Sequence, residues 1–353
     1  MSPFRWAAWL SGPIALGASW FLRGSAPWVE HVYSRSFYPG LMVPWSRFWG
    51  FFSFAVVPWL AAGTLGALIW LLVRGPWARA LAAILAVVSL LLAWFVVSWG
   101  LNYQRMSWAQ SHGRAASGGT LAELESLSIV LAHKTNQLSH QAAEHLLSTR
   151  EIFEDVRLAY LRHGASDPLL AGDYPAPKAF PWPNLMSWAG IGGIFLAFTG
   201  ESLVNTGPPS WELPFTAAHE AAHLHGFARE DEANFLGFWV LHDDPRPVMA
   251  YAAWSSALLY VASALEMSGP KGVAAWSRTS ALLLPRVRRD WNATFAYWKR
   301  FQGPVGKASQ AINDLYLKGQ GQSDGVKSYG RMVDLLLAWR TDFAPEGGVL
   351  SGL

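Results

Sequence analysis

The sequence lacks cysteine and is poor in charged residues. None of its 353 residues is a cysteine, which excludes disulfide bonds, thiolate zinc ligands and a thiol nucleophile. Only 14% of the residues are charged, whereas soluble globular domains carry about 25%. Because 52% of the residues are hydrophobic, the composition argues against a wholly soluble or a disordered chain, and we expect part of it to lie in lipid.

The sequence also lacks a basic tract. The formal net charge is +3, and the excess of arginine is scattered through the chain. Proteins that bind nucleic acids usually concentrate their positive charge on one face or in one segment. We therefore expect no nucleic-acid partner.

Three apolar segments near the N-terminus predict membrane-spanning helices. Each reaches the roughly 20 apolar residues that a bilayer core of about 30 Å requires, and they lie at residues 4–22, 51–73 and 80–101. A signal peptide is the alternative for the first segment, and a buried core helix is the alternative for each. The sequence thus predicts a membrane anchor with three transmembrane helices at residues 1–103, with the lipid bilayer as a partner, followed by a second domain at residues 104–353.

Flanking charges predict the orientation of this anchor. Arg74 and Arg79 lie in the short turn between the second and third segments, which the positive-inside rule places in the cytoplasm. The loop at residues 23–49 carries three arginines and favours the opposite orientation, but the positive-inside rule is less reliable for a longer loop. Since three spans put the two ends of the anchor on opposite faces, we predict an inner-membrane protein whose second domain is extracytoplasmic.

The second domain is predicted to be mainly α with a small β-sheet edge. Apolar residues at helical spacing occupy residues 121–147 and 151–164. Residues 192–200 predict a short strand, which is either a core strand or an open edge that pairs with an extended peptide. The apolar residues 248–267 favour a buried core helix, with a membrane span as the alternative.

The sequence His-Glu-Ala-Ala-His lies at residues 219–223. On a helix, His219 and His223 project from one face and can hold one Zn²⁺ as a cofactor. Glu220 then lies near the open position of the metal, where a general base takes a proton from zinc-bound water. The alternative is an amphipathic helix whose histidines and acids are solvated.

The third ligand is expected on a following helix. Gly226 permits a sharp turn after the first helix. Glu230 and Asn234 are one turn apart on the next, so Glu230 can bind the metal while Asn234 bonds the outer edge of a ligand. Glu232 is the alternative third ligand, and His225 is expected to leave the metal-binding face.

Two further groups of residues have open roles. A donor for the transition-state oxyanion is expected beside the zinc, and the candidates are Tyr251, Tyr260, Tyr329 and His242. A cluster of arginines is expected to form a solvated or lipid-headgroup face rather than a substrate clamp. The cluster consists of Arg286, Arg288 and Arg289.

The metal-binding stretch resembles the gluzincin metallopeptidases, and other stretches resemble an uncharacterised bacterial membrane family, domain of unknown function 3810. The gluzincin resemblance implies His219 and His223 as zinc ligands, Glu220 as general base and Glu230 as carboxylate ligand, with Asn234 where many members have Asp. The second resemblance rests on YSRSFYP at 33–39, WGLNYQR at 99–105, FTGESLVN at 198–205, HEAAH at 219–223 and residues 312–338. It implies a three-span anchor and a zincin-like peptidase domain, but no substrate.

These patterns together predict a membrane-anchored zinc metallopeptidase that hydrolyses a peptide or protein near the membrane. The alternative is a non-catalytic zinc-binding sensor or scaffold. Glu220 favours the enzyme, because a purely structural site would close the fourth position of the zinc with a fourth ligand. An intramembrane protease would need the motif inside a span, and the residues that follow it are too polar for lipid.

Overall fold

The computed structural model of the protein describes residues 3–116, 118–144, 146–319 and 331–344. The described chain is mainly helical with one small sheet. Three of its helices are long and apolar enough to cross a membrane, and they are Val57–Arg74, Trp77–Ser98 and Pro247–Met267. The first two correspond to the second and third spans predicted from the sequence.

The first predicted span is helix α1 (Pro3–Phe21), which does not belong to that apolar group. Arg5 and the polar and small residues around Pro13 lower its hydropathy. It nevertheless packs along α5 (Trp77–Ser98). We therefore keep α1 as a predicted span on the evidence of its packing.

The order of contacts gives the direction of the helices in the anchor. Trp9 donates a hydrogen bond to the carbonyl of Ala82, and the backbone N–H of Gly12 donates to Ser89 Oγ, so α1 and α5 run parallel. Helix α4 (Val57–Arg74) precedes α5 across a two-residue turn and packs against it. The start of α1 and the α4–α5 turn therefore lie at one end of the three helices, and the end of α1, the start of α4 and the end of α5 lie at the other.

The segment between α1 and α4 is helical and packs against both α5 and the second domain. It contains α2 (Ala26–Trp28), a π-helix (Val29–Phe37) and α3 (Tyr38–Gly50). Its buried side chains join a cluster with residues from a 3₁₀ turn (Gly100–Gln104) and from the metal-motif helix. Tyr33 donates to the carbonyl of Val97 in α5 at 2.9 Å, and the rings of Trp45 and Trp94 lie 5.1 Å apart. The segment that the sequence assigns to the anchor therefore contacts α5 as well as the second domain.

The remaining helices form the second domain around one large apolar core. Many of them begin with proline, whose missing N–H costs nothing in the first turn of a helix, and α8 begins with a capping box between Ser148 and Glu151. The helices before the metal motif are α6 (Trp108–Ser111), α7 (Leu121–Glu144), α8 (Thr149–Gly164) and α9 (Pro183–Trp188). The later ones are α10 (Leu213–Leu224), α11 (Glu230–Trp239), α12 (Pro247–Met267), α13 (Pro270–Ala281), α14 (Pro285–Arg300), α15 (Pro304–Gly319), α16 (Arg331–Ala338) and α17 (Arg340–Phe343).

Helix α12 differs from the other two apolar helices in its surroundings. In its most apolar stretch 72% of the residues are buried inside the protein, compared with none in α4. It packs mainly along α7, with α10 and α13 also in contact. It therefore lies among protein rather than on the surface, as expected for a core helix.

The sheet has three short strands in the order β1, β3, β2. Strand β1 (Lys178–Ala179) pairs parallel to β3 (Glu201–Val204), and β2 (Gly193–Leu196) pairs antiparallel to β3. The predicted strand within residues 192–200 is thus β2, and it lies at an edge of the sheet. Strand β3 is fully buried at the centre and packs on α10.

Candidate metal centre

Three potential metal ligands converge between α10 and α11. The Nε2 atoms of His219 and His223 are 3.2 Å apart, and the carboxylate oxygens of Glu230 lie 3.4 and 3.6 Å from them. Metal–ligand bonds of 2.0–2.2 Å in a tetrahedron place ligand atoms about 3.4 Å apart. The observed separations therefore match the spacing of three ligands around one ion.

The turn between the two helices brings Glu230 to the histidines. Gly226 has φ +89°, and its N–H donates to the carbonyl of His223 while Phe227 N–H donates to Ala222. This left-handed C-cap reverses the chain, and α11 then begins at Glu230. A β-carbon at Gly226 would also crowd the ring of Tyr38 at 3.2 Å, so both the backbone and the packing favour glycine here.

The environment of His223 favours the neutral imidazole that binds metals. Its Nδ1 lies 2.7 Å from the carbonyl of Phe227, to which it donates, and this leaves the Nε2 lone pair facing His219 and Glu230. Burial lowers the pKa of His223 to about 4. The imidazole is therefore uncharged near neutral pH.

His219 and Glu230 shift each other's pKa in the same place. Burial alone would lower the pKa of His219, but its hydrogen bond with Glu230 and the charges of Glu220 and Glu230 raise it. Burial alone would raise the pKa of Glu230, but the two imidazoles hold it below its usual value. Protonation of His219 and metal binding would therefore compete for the same ring nitrogen.

Glu220 is buried beside this cluster and against the edge strand. Its backbone carbonyl accepts a hydrogen bond from Ser202 Oγ at 2.8 Å, which ties α10 to β3. Its side chain lies against Gly193, and the backbone N–H of Phe195 bonds to it. Burial, together with the nearby charge of Glu230, raises the pKa of Glu220 to about 8.

The two alternative residues near the motif lie elsewhere. Glu232 accepts hydrogen bonds from the backbone of Trp108 at 2.7 Å and from Arg229. His225 stacks on the ring of Tyr160, with 4.3 Å between the ring centroids. Glu230 is therefore the acid next to both imidazoles, and His225 leaves the metal-binding face.

Asn234 and Tyr260 lie on the outer side of His219. The Tyr260 hydroxyl donates to Asn234 Oδ1 at 2.8 Å, and the Asn234 side chain is one of the groups that raise the pKa of His219. Tyr260 was a candidate oxyanion donor, but its hydroxyl bonds a residue behind the histidine. Its position suits orientation of His219 through Asn234.

The other candidate donors bond groups away from the three ligands. The Tyr251 hydroxyl donates to Asp290 at 2.7 Å, and His242 Nδ1 bonds the carbonyl of Trp239. Tyr329 lies outside the described residues. In the arginine cluster, Arg288 bonds carbonyls at the end of α13, as expected for a surface role.

Residues from the chain before residue 106 support the candidate site, and sequence reasoning did not assign them to it. Tyr38 donates to the carbonyl of Leu224 at 2.9 Å, and Arg105 donates to the carbonyl of Gly226 at 3.0 Å. Arg105 also forms a bidentate buried pair with Glu30. Tyr38 and Arg105 belong to YSRSFYP and WGLNYQR, so those stretches were a signal that could have placed them here.

A comparison with known families gives a match that covers Tyr38, Arg105 and both helices of the candidate site. The family described as "Protein of unknown function (DUF3810)" matches residues 33–337, which is most of the chain. The chain belongs to the DUF3810 family. The match to DUF3810 includes α3, the 3₁₀ turn, the sheet and the helices of the metal centre. No curated protein and no solved structure matches the chain.

Proposed function

We propose that this DUF3810 protein is a membrane-anchored zinc metallopeptidase. His219, His223 and Glu230 would bind the metal, and Glu220 would act as the general base. The observation that carries the proposal is the convergence of the three ligand atoms, all within 4.8 Å of one another, next to a buried acid.

The donor set fits zinc. Two imidazole nitrogens and one carboxylate oxygen are ligands that Zn²⁺ accepts. In the described part of the chain the cluster contains these three protein ligands, and three is the number typical of catalytic zinc sites, whereas structural sites usually have four. When bound, zinc would polarise a carbonyl and lower the pKa of a coordinated water to about 7.

Glu220 has the environment that proton transfer requires. It is buried and directly follows the ligand His219 in α10, and a carboxylate within reach of a metal-bound water can accept its proton and return it. The contact with Gly193 leaves the carboxylate beside the backbone of β2. Glu220 would therefore hold the proton taken from water and deliver it to the leaving amine.

The edge position of β2 suggests how a substrate would bind. Strand β2 pairs with β3 on one side only. An extended peptide can add to such an edge through main-chain hydrogen bonds. Since Glu220 borders this strand, a peptide bound there would pass close to the metal centre. We therefore propose a peptide or protein in extended conformation as the substrate.

The metal and the base can be tested separately in the full chain reconstituted in lipid nanodiscs. Zinc content would be measured by mass spectrometry, and hydrolysis with a library of proteome-derived peptides. We expect the wild type to bind one zinc ion and cleave peptides, Glu220→Gln to keep zinc without cleavage, and His219→Ala to lose zinc. Cleavage by Glu220→Gln would refute the mechanism. Bound zinc without cleavage by the wild type would favour the alternative, a zinc-binding sensor or scaffold.

The site of action follows from the predicted orientation. The positive-inside rule for Arg74 and Arg79 puts the metal centre outside the cytoplasm. Since the chain has no cysteine, Leu146→Cys at an exposed position can be labelled alone in intact cells. Labelling by a membrane-impermeant maleimide is expected when only the outer membrane is opened. Labelling that requires lysis of the inner membrane would place the domain in the cytoplasm.

A further inference from the structure

Helix α9 and the residue before it expose an apolar face. Trp182, Leu185 and Trp188 are 43%, 60% and 48% exposed. The opposite side of α9 is packed, because Met186 is buried and Ser187 Oγ bonds the hydroxyl of Tyr297 on α14. Two tryptophans and a leucine on one surface exceed the scattered apolar residues that need no explanation. We call these three side chains the α9 face.

The α9 face is continuous with the end of an apolar helix. The rings of Trp182 and Trp59 make an edge contact with 5.5 Å between centroids. Trp59 lies in the first turn of α4, whose most apolar stretch has no buried residues. A helix of 18 residues is about 27 Å long, which is close to the bilayer core of about 30 Å. Trp59, and Trp182 beside it, are therefore at the depth of the membrane–water interface, where tryptophan is enriched.

The neighbouring surface is basic. Trp188 packs against Phe301, with 5.2 Å between ring centroids, and the start of α15 lies next to the carbonyl of Trp188. Residues 291–313 contain no acidic residue. The basic residues in this stretch are all exposed, and they are Lys299, Arg300 and Lys307. Positive charge beside an apolar face is the combination that binds an anionic lipid surface.

We propose that the α9 face docks onto the bilayer surface beside α4. Trp182, Leu185 and Trp188 enter the interface, and the basic residues at the α14–α15 junction contact anionic headgroups. The domain is then held to the membrane at a second place, in addition to its covalent connections to the anchor. This contact fixes the orientation of the domain relative to the bilayer.

Docking has a consequence for the metal centre that rests on the proposed function. The chain passes from α9 into β2 within four residues, and β2 borders Glu220. With the α9 face in the interface, the open edge of β2 lies close to the membrane surface. A substrate would therefore be a chain segment that emerges from the bilayer or lies along it.

Site-specific fluorescence can test the docking without any measurement of activity. Leu185→Cys provides one thiol in a chain that has none, and it alters an exposed side chain. Leu282→Cys is the matched control, because Leu282 is also exposed, at 44%. It precedes the first turn of α14, roughly 24 Å along this 16-residue helix from the end that packs on α9. Both variants of the full chain would carry a nitrobenzoxadiazole label in nanodiscs of phosphatidylcholine and phosphatidylglycerol.

We expect the label at residue 185 to emit at shorter wavelength, to lose most of its emission when doxyl-labelled lipid is included and to resist quenching by iodide. The label at residue 282 should respond to iodide and not to doxyl lipid. Equal iodide quenching at both positions would overturn the proposal. It would also be overturned if residue 185 were shielded from iodide without doxyl quenching, since another protein copy would then cover the face. Neither result depends on whether the protein is a peptidase.

Discussion

A β-carbon at Gly193 would lie 2.5 Å from Oε1 of Glu220. The carboxyl group of the proposed base thus occupies the space that a side chain on the first residue of β2 would need. The adjacent Gly192 has no such neighbour, since the nearest atom to a β-carbon there is Thr216 Cγ2 at 3.6 Å. A methyl group therefore fits at residue 192 but not at residue 193.

Gly193→Ala is expected to displace the Glu220 carboxylate without removing a metal ligand. Loss of a positioned acid–base group typically lowers the rate by about 10²–10⁴-fold, so peptidase activity should fall within that range while zinc content stays at the wild-type level. Gly192→Ala is the control and should leave both unchanged. Equal rates for the two variants would mean that the position of Glu220 does not limit hydrolysis.

Glu230 and Glu232 should differ in what they contribute. Glu230 contacts both imidazoles, whereas Glu232 holds the backbone N–H of Trp108. Groups that only orient a ligand change metal affinity by roughly 10–100-fold, so Glu230→Gln, which alters a ligand itself, should weaken zinc binding at least that much. Glu232→Gln should bind zinc normally but unfold at a lower temperature. Competition with a zinc chelator and thermal unfolding monitored by fluorescence would measure the two effects. The reverse pattern would identify Glu232 as the ligand.

The sequence predicted those parts of the site that depend on local geometry. His219 and His223 lie on one face because a helix repeats every 3.6 residues, and Glu230 follows one glycine turn later. Both relationships lie within a dozen residues of the chain, so the residue spacing alone is enough to predict them. The hydrogen bond that engages Glu232 could not be predicted in this way, because its donor, the backbone N–H of Trp108, lies far away in the sequence.

Long-range support for the site could not be read from residue spacing. Tyr38 and Leu224 are separated by 186 positions, and Arg105 and Gly226 by 121. Nothing in either segment alone indicates that they meet. The helices between α1 and α4 likewise contact distant parts of the chain, because Tyr33 bonds the carbonyl of Val97 in α5 and Tyr38 bonds that of Leu224 in α10. Hydropathy indicates which segments can lie in lipid. It does not indicate which protein surface a more polar segment packs against.

The buried pair of Glu30 and Arg105 should contribute much more to stability than an exposed pair. Their side chains are 0% and 2% exposed, and removal of one partner from a buried pair typically costs about 3–5 kcal/mol. Glu30→Gln should therefore lower the unfolding temperature strongly, and zinc affinity should also fall because Arg105 holds the carbonyl of Gly226. Arg278→Gln, which breaks the exposed pair with Glu125, should cost at most about 1 kcal/mol. Similar unfolding temperatures for both variants would contradict this difference.

The pair of His112 and Asp167 should make stability depend on pH. His112 Nε2 lies 2.9 Å from Asp167 Oδ2, and Nδ1 lies 2.9 Å from the carbonyl of Trp108, so both ring nitrogens face acceptors. Burial alone would lower the pKa of His112, but these hydrogen bonds raise it. Burial alone would raise the pKa of Asp167, but its hydrogen bonds with His112 and the Leu169 N–H lower it.

The signs of these shifts define the pH range in which the pair stabilises the fold. A raised histidine pKa adds stability that is complete below the unfolded value of about 6.5 and is lost as the pH rises through the folded pKa. A lowered aspartate pKa adds stability that is complete above about 3.9 and is lost as the pH falls through the folded pKa. The difference in unfolding temperature between wild type and His112→Gln should therefore be largest between about pH 4 and 6.5 and should decrease towards pH 8. His140→Gln, which alters an exposed histidine on α7, is the control and should follow the wild-type profile. If the difference in unfolding temperature between wild type and His112→Gln stays constant between about pH 5 and pH 8, on both sides of the unfolded histidine pKa of about 6.5, His112 contributes packing rather than charge.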